Sequence, residues 1–454
     1  MRMKKIGVIL AGGDGKRFGD ILPKQFFKLA GREIIEYTVD VFQKSENIDE
    51  IFIVSKLQYE NHIWELSRQN NWTKLSKVVV AGPDRMGSTE SAVAAFSGHD
   101  ENTNLLFHDA VRPLLDDDLI HRCVRALEEF AAVDVVMSSA DTLVTIRDDG
   151  CIADIPARSL MRRGQTPQAF RLHVIREALE RANRLKRRDF TCDCSVVRFM
   201  LPNVPITTVE GSEANIKITS KLDLFLAEKL IQSRTLKIKS KEIKTILGKT
   251  VVVFGGNSGI GESIRKLALL NGAQVFSASR STNGVDVTDA DAVEKFLADI
   301  AGRVEQIDAI VNSAGTLIRR PFMQMGYDEI NLLIKTNYLG AVNVARAAHF
   351  HLAHSRGTLV NFASSSYTRG RAQYAIYSSS KCAVVNLTQA LAEEWHGEGI
   401  NVICISPERT NTPMRKLNFG KEDPASLLSP ELVARYTLAA ITMGHTGVVL
   451  DVKR

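Results

Sequence analysis

The feature that most constrains this chain is a junction that occurs twice. A short apolar, β-rich run passes into a glycine-rich turn and then into an amphipathic stretch, first as VILAGGDGKRFG and again as VVVFGGNSGIGES. In doubly wound α/β architecture the first strand carries the phosphate-binding turn, because backbone N–H groups and the start of the next helix converge there on an anion. Two such starts predict two separate Rossmann-like, doubly wound α/β domains. The short apolar runs that follow support parallel sheets: Ile51–Ser55, Lys77–Val80, Asn104–His108 and Asp134–Ser138 after the first start, and Gln274–Ala278, Ala309–Asn312, Gly357–Phe362 and Ile400–Ile405 after the second. At about 150 residues per domain, 454 residues agree with more than one core. The stretch TLKIKSKEIKTIL reads as a charged connector, so the expected division is 1–232, a basic linker at 233–247, and 248–454.

That connector also explains the charge. Between Gln232 and Lys249 lie six bases (Arg234, Lys237, Lys239, Lys241, Lys244, Lys249) and one acid, Glu242, against a net of +6 for the whole chain. The remainder is nearly neutral, which disfavours a broad basic face for nucleic acid. No apolar run approaches the roughly 18 residues that span a bilayer, so no membrane partner is expected. The basic start and apolar Ile6–Ala11 imitate a signal peptide, but that run is too short and reads as a buried first strand. Six cysteines in a chain of this length do not make a disulfide scaffold, which fits a reducing cytoplasm. His349, His351 and His354 read as solvated helix surface, not zinc ligands.

In the first half, Gly12, Gly13 and Gly15 form a candidate anion cradle, and Arg17 and Lys24 place two permanent cations beside it. Nucleotidyl transfer asks for such a positive clamp on phosphorus and little else from the protein. The run ILAGGDGKRFGDILPKQFFKLAGREII resembles the opening of the cytidylyltransferases that make CDP-methylerythritol and CDP-ribitol. AGPDRMGST, FHDAVRP, ARSLMRRGQTPQAF, DFTCDCS and GSEANIKITSKLDLFLAEKL continue the resemblance in order over residues 3–230. It implies CTP as substrate, with Arg17, Lys24 and Lys217 as catalytic cations at its phosphates beside the three glycines. Gly82, Arg85 and Ser88 would lie at the base, Asp109 would be the Mg²⁺-side carboxylate braced by Arg112, and Arg158 and Thr166 would face the acceptor phosphate. A phosphate monoester, with a second pKa of about 6, is already anionic and needs no general base, so His108 reads as a structural neighbour of Asp109. Pro83 and Cys192 depart from the pattern, standing where relatives often carry acidic residues.

In the second half, Gly255, Gly259 and Gly261 have the spacing that admits a dinucleotide pyrophosphate. Tyr377 and Lys381 share one helix face at i, i+4, Ser364 ends a strand, and Asn337 lies in a helical stretch. Together with the Asn312–Gly315 run and SPERTNTPM, these residues resemble the short-chain dehydrogenase/reductase family over residues 248–452. The resemblance implies Tyr377 as proton donor and Lys381 as the cation that lowers its phenol pKa from about 10 and holds the nicotinamide ribose. Ser364 would bond the substrate carbonyl, Asn337 would anchor a water relay to Lys381, Thr412 would bind the carboxamide, and Asp286 and Asn312 complete the cofactor set. Where NAD-specific members carry an acid after the second strand, this chain has Ser279 and Arg280, which favours the 2′-phosphate of NADPH. Phe254 and Glu408 replace the usual threonine and glycine, and little chain follows Met414, so a reduced or unusual substrate lid is expected.

The two activities in this order resemble the bifunctional ribulose-5-phosphate reductase/CDP-ribitol pyrophosphorylases of bacterial capsule biosynthesis. Such an enzyme would reduce D-ribulose 5-phosphate with NADPH and couple the D-ribitol 5-phosphate to CTP, giving CDP-ribitol and pyrophosphate. It would be a cytoplasmic homo-oligomer, dimer or tetramer. Two alternatives stand beside it: a methylerythritol-phosphate cytidylyltransferase fused to an unrelated reductase, or to a non-catalytic NADP(H) sensor. The sensor is disfavoured because binding alone does not need Asn337, Ser364, Tyr377 and Lys381 together. Arg319, Arg320, Arg369 and Arg371 are candidates for a substrate phosphate at the reductase mouth.

Overall fold

In the computed structural model the described residues are 3–13, 22–29, 32–232, 245–444 and 446–454. The chain divides into two compact units, Met1–Ala227 and Glu228–Arg454. Most of the expected linker, residues 233–244, lies outside the described residues, as do Gly15 and Arg17. Among the described residues no helix is long and apolar enough to cross a membrane.

The first unit contains, in chain order, β1 (Lys5–Leu10), β2 (Lys28–Leu29), β3 (Arg32–Glu33), β4 (Glu50–Ser55), β5 (Leu75–Val80), β6 (Asn104–Asp109), β7 (Ala132–Ser138), β8 (Thr145–Ile146), β9 (Ile152–Asp154), β10 (Arg162–Arg171) and β11 (Ile206–Glu210). Seven of these form one sheet in the order β11-β7-β10-β6-β1-β4-β5, and the pairs β2–β3 and β8–β9 stand apart. Both faces are covered, which is why the strands read as unbroken apolar runs. Ile9, Ile51, Ile53 and Leu106 enter one core, while Ile6, Val8, Phe52, Val54, Leu105 and Phe107 enter the other.

One strand departs from the parallel run. β10 runs antiparallel to both β6 and β7. An antiparallel neighbour needs no helical crossover, and the excursion between β7 and β10 carries the β8–β9 hairpin instead. Pro167 inside β10 cannot donate to the ladder, and the register of β10 against β7 shifts between Gly164 and Gln168.

The second unit is parallel throughout, from β12 (Thr250–Phe254) through β13 (Gln274–Ala278), β14 (Ala309–Asn312), β15 (Thr358–Phe362) and β16 (Asn401–Pro407) to β17 (Val449–Val452), in the order β13-β12-β14-β15-β16-β17. Val252, Phe254, Ile310, Leu359 and Val402 share one core with the helices Ala290–Ala301 and Gly340–Ser355. In both units the candidate residues gather beyond the carboxyl ends of the central strands, where doubly wound sheets bind ligands.

Candidate active sites

In the first unit, β6 delivers Asp109 into a cavity of about 250 Å³ lined by Gly12, Gly13, Lys24, Gly82, Arg85, Ser88 and Lys217. Three cations converge on this carboxylate. Arg85 Nη1 lies 2.6 Å from Oδ1, while Lys217 Nζ and Arg112 Nε lie 3.0 and 3.1 Å from Oδ2. Burial alone would raise the Asp109 pKa, but Arg85, Lys217 and Arg112 overcome it and hold the group ionised, far below the usual carboxylate range. Arg112 also donates to the Asn215 carbonyl, and Ile218 N donates to Val111 O, which fixes the segment bearing Lys217 over Asp109.

The turn after β5 is built by sterics. A Cβ on Gly82 would meet the backbone of Gly87 at 2.3 Å, so glycine is required for the helix Arg85–Ala94 to approach. The Asp84 carboxylate accepts from Gly87 N and caps that helix, which sets Arg85 and Ser88 at the cavity wall. A Cβ on Gly12 would lie 2.6 Å from the Ala81 methyl.

Several supports escaped the sequence reading. Gln25 is buried and donates to the Ala11 carbonyl at 2.6 Å, bracing the glycine turn. Asp193 takes Arg85 Nη2 at 2.7 Å, accepts from Thr89, and is itself placed by Gln168. Its only signal was its place in DFTCDCS, where Cys192 drew the attention. Thr166 is buried beside Asp109, its hydroxyl within 2.9 Å of His108 Nδ1 and accepting from Asp109 N, and is not among the residues lining the cavity. His108 is fully buried, and burial lowers its pKa to about 4, so it is neutral and structural. Arg158 is exposed on the excursion after β9, bonded to the Ala140 carbonyl, and is not brought to the cavity within this chain.

Among the described residues no group of three or more His, Cys, Asp or Glu side chains could cage a metal. Of the two carboxylates that line the cavity, Asp84 caps a helix and Asp109 is the one that could offer a hard oxygen to a Mg²⁺ taking its other ligands from phosphate and water.

In the second unit two cavities share Ile260, Ser313, Gly315, Thr412 and Met414. One, of about 360 Å³, contains the glycine turn, Arg280 and Asp286. Gly255 has φ +78°, and a Cβ there would lie 2.7 Å from Ala314 N. A Cβ on Gly261 would sit 2.2 Å from the Gly255 carbonyl. Only bare backbone fits, which leaves the N-terminus of helix Gly259–Leu270 open to an anion. Arg280 is largely exposed at the cavity rim, 3.9 Å from Asp286. Asn312 accepts from Ala314 N behind the turn, and Thr412 caps the helix Pro413–Phe419.

The other cavity, of about 470 Å³, holds Ser364, Tyr377 and Lys381. Lys381 is buried, donates to the Phe362 carbonyl at 2.9 Å, and has its pKa lowered by burial to about 8. Its Nζ lies 6.0 Å from the Tyr377 ring centroid. Burial pushes the Tyr377 phenol above its ordinary value, and a hydrogen bond with Ser364 opposes that. The Lys381 ammonium gives one of its three hydrogens to this backbone carbonyl. Asn337 sits in a π-helical turn, Lys335–Leu339, accepts from Thr316 N at 2.8 Å and donates to Thr316 O at 2.9 Å. It contacts Ser380, one residue before Lys381.

The family described as 2-C-methyl-D-erythritol 4-phosphate cytidylyltransferase matches residues 6–233, and the short chain dehydrogenase family matches residues 249–423. The chain is 42% identical to the bifunctional ribulose 5-phosphate reductase/CDP-ribitol pyrophosphorylase of Haemophilus influenzae, over 99% of its own length and 96% of the relative's. It is 38% identical to the 2-C-methyl-D-erythritol 4-phosphate cytidylyltransferase of Thermobifida fusca, over 51% of this chain and 95% of that protein. Of solved structures, 4-diphosphocytidyl-2C-methyl-D-erythritol synthase from Anaerococcus prevotii, 27% identical, covers 51% of this chain and 99% of its own with a TM-score of 0.44.

Proposed function

The chain belongs to the family of bifunctional ribulose 5-phosphate reductase/CDP-ribitol pyrophosphorylases, and from that premise we propose that it reduces D-ribulose 5-phosphate with NADPH and couples the ribitol 5-phosphate to CTP. The observation that carries this reading is the joint one: a likeness to that bifunctional relative across nearly the whole chain, with both sites assembled.

In the first unit, the glycine turn with Lys24, Lys217 and Arg85 holds the triphosphate. A phosphate oxygen of the acceptor attacks the α-phosphorus, the α–β bridging bond breaks, and pyrophosphate carries away the electron pair. The fixed cations stabilise the charge that develops on the phosphoryl oxygens, and they do so without reorganising. Asp109 keeps Arg85, Lys217 and Arg112 in register and offers a ligand to Mg²⁺, which supplies further charge neutralisation when bound.

In the second unit, NADPH supplies a hydride to the ketone carbon when bound. Ser364 orients the carbonyl, and the phenol of Tyr377 gives its proton to the oxygen. Lys381 holds the ribose hydroxyls, and Arg280 meets the 2′-phosphate.

The acceptor is decided by pyrophosphate release from CTP with ribitol 5-phosphate or methylerythritol phosphate. Ribitol 5-phosphate should be the better substrate; turnover of methylerythritol phosphate alone would overturn this reading.

A further inference from the structure

The reductase cavity contains more arginines than the chemistry of Tyr377 requires. Of the three that line it, Arg371, Arg409 and Arg415, the last is already engaged. Arg415 makes a two-pronged pair with Glu422, both contacts 2.7 Å, and its guanidinium lies 3.5 Å over the Phe419 ring. Outside the cavity lining, Arg319 lies over the same ring at 5.1 Å, and Arg320 pairs with Glu329 at 3.0 Å. Lys381 is held by the Phe362 carbonyl. Arg371 and Arg409 also line the cavity, and among the described residues neither is in an ion pair. Both stand on anchored backbone: Tyr374 N donates to Arg371 O, and Leu428 N donates to Arg409 O at 2.8 Å. The Arg371 guanidinium reaches the Ser365 carbonyl at 3.4 Å, next to the residue that orients the ketone.

We propose that Arg371 and Arg409 form the phosphate subsite of the reductase cavity, with the Arg415–Glu422 pair as its rigid wall. This rests on the reductase reading above. A phosphate monoester dianion is matched by two forked guanidiniums better than by one, and Arg415 cannot turn toward it without abandoning Glu422. Ser364, Tyr377 and the two arginines thus bracket a short polar chain with a carbonyl near one end and a dianion at the other.

The test uses the full chain with NADPH and compares ribulose 5-phosphate with unphosphorylated ribulose for wild type, R371A, R409A and the double variant. Each single change should raise KM for the phosphorylated ketose by about tenfold or more, the worth of one charge-assisted bond. The kcat/KM for ribulose and the Kd for NADPH, which also reports folding, should not move. Inorganic phosphate should compete with ribulose 5-phosphate in the wild type and lose that effect in the double variant. A phosphorylated-to-unphosphorylated ratio that is unchanged in the double variant overturns the subsite while leaving the reductase reading intact. Binding of the ketose phosphate through these arginines without reduction would sink the reductase reading and sustain the subsite.

Discussion

At the scale of single residues, the first site is governed by burial and charge acting against each other. His108 has a folded-state pKa of about 4 against 6.5 for the free group. Above pH 6.5 it is neutral in both states and costs nothing. As pH falls toward 4 the unfolded chain gains a proton that the native state refuses, so stability declines, by about 3 kcal/mol in all. Denaturant titrations from pH 7 to 4 should show this slope in the wild type and a flatter one in His108→Gln; equal slopes would remove His108 from the account. In the second site the proton donor we propose is Tyr377. Tyr377→Phe keeps the ring and removes the proton, and should slow ketone reduction by about 10²- to 10⁴-fold with NADPH binding retained. Near-normal reduction would place the acid elsewhere.

At the scale of elements, the second strand-to-helix turn was legible because bare backbone is the only solution where a helix start meets a phosphate. Gly261→Ala would put a Cβ 2.2 Å from the Gly255 carbonyl and 2.4 Å from Ser313 Oγ, so the turn must open. The expected result is loss of NADPH binding and about 1–3 kcal/mol of stability in the second unit, read by cofactor fluorescence and thermal unfolding. A variant with wild-type affinity would contradict the cradle. β10 was not legible: RRGQTPQAFR carries a proline and five polar or charged residues before Ala169 and Phe170, and nothing local announces an antiparallel strand between two parallel neighbours. The roles of Thr166 and Asp193 were hidden for the same reason. What places them is β10 and the helix start after Cys192, tertiary facts that spacing does not encode. Asp109 and Lys217 were legible only through the motifs that carry the family resemblance, and Tyr377 through those motifs and its i, i+4 spacing to Lys381.

At the scale of the molecule, the chain divides into two compact units, and the two proposed sites lie one in each. Lys24→Ala should abolish pyrophosphate release and leave NADPH oxidation at the wild-type rate, since the clamp and the proton donor belong to different units; joint loss in a folded protein would contradict independent sites. The two reactions are chemically ordered, because reduction creates the hydroxyl that distinguishes the acceptor, and a polar site built for that hydroxyl rejects an analogue lacking it by as much as about 10⁴-fold. The most direct measurement is chromatography of CTP-derived products from the wild-type chain supplied with ribulose 5-phosphate and CTP, with and without NADPH. The account predicts CDP-ribitol only when NADPH is present; a CDP-sugar formed equally well without NADPH, or none in either case, would contradict it.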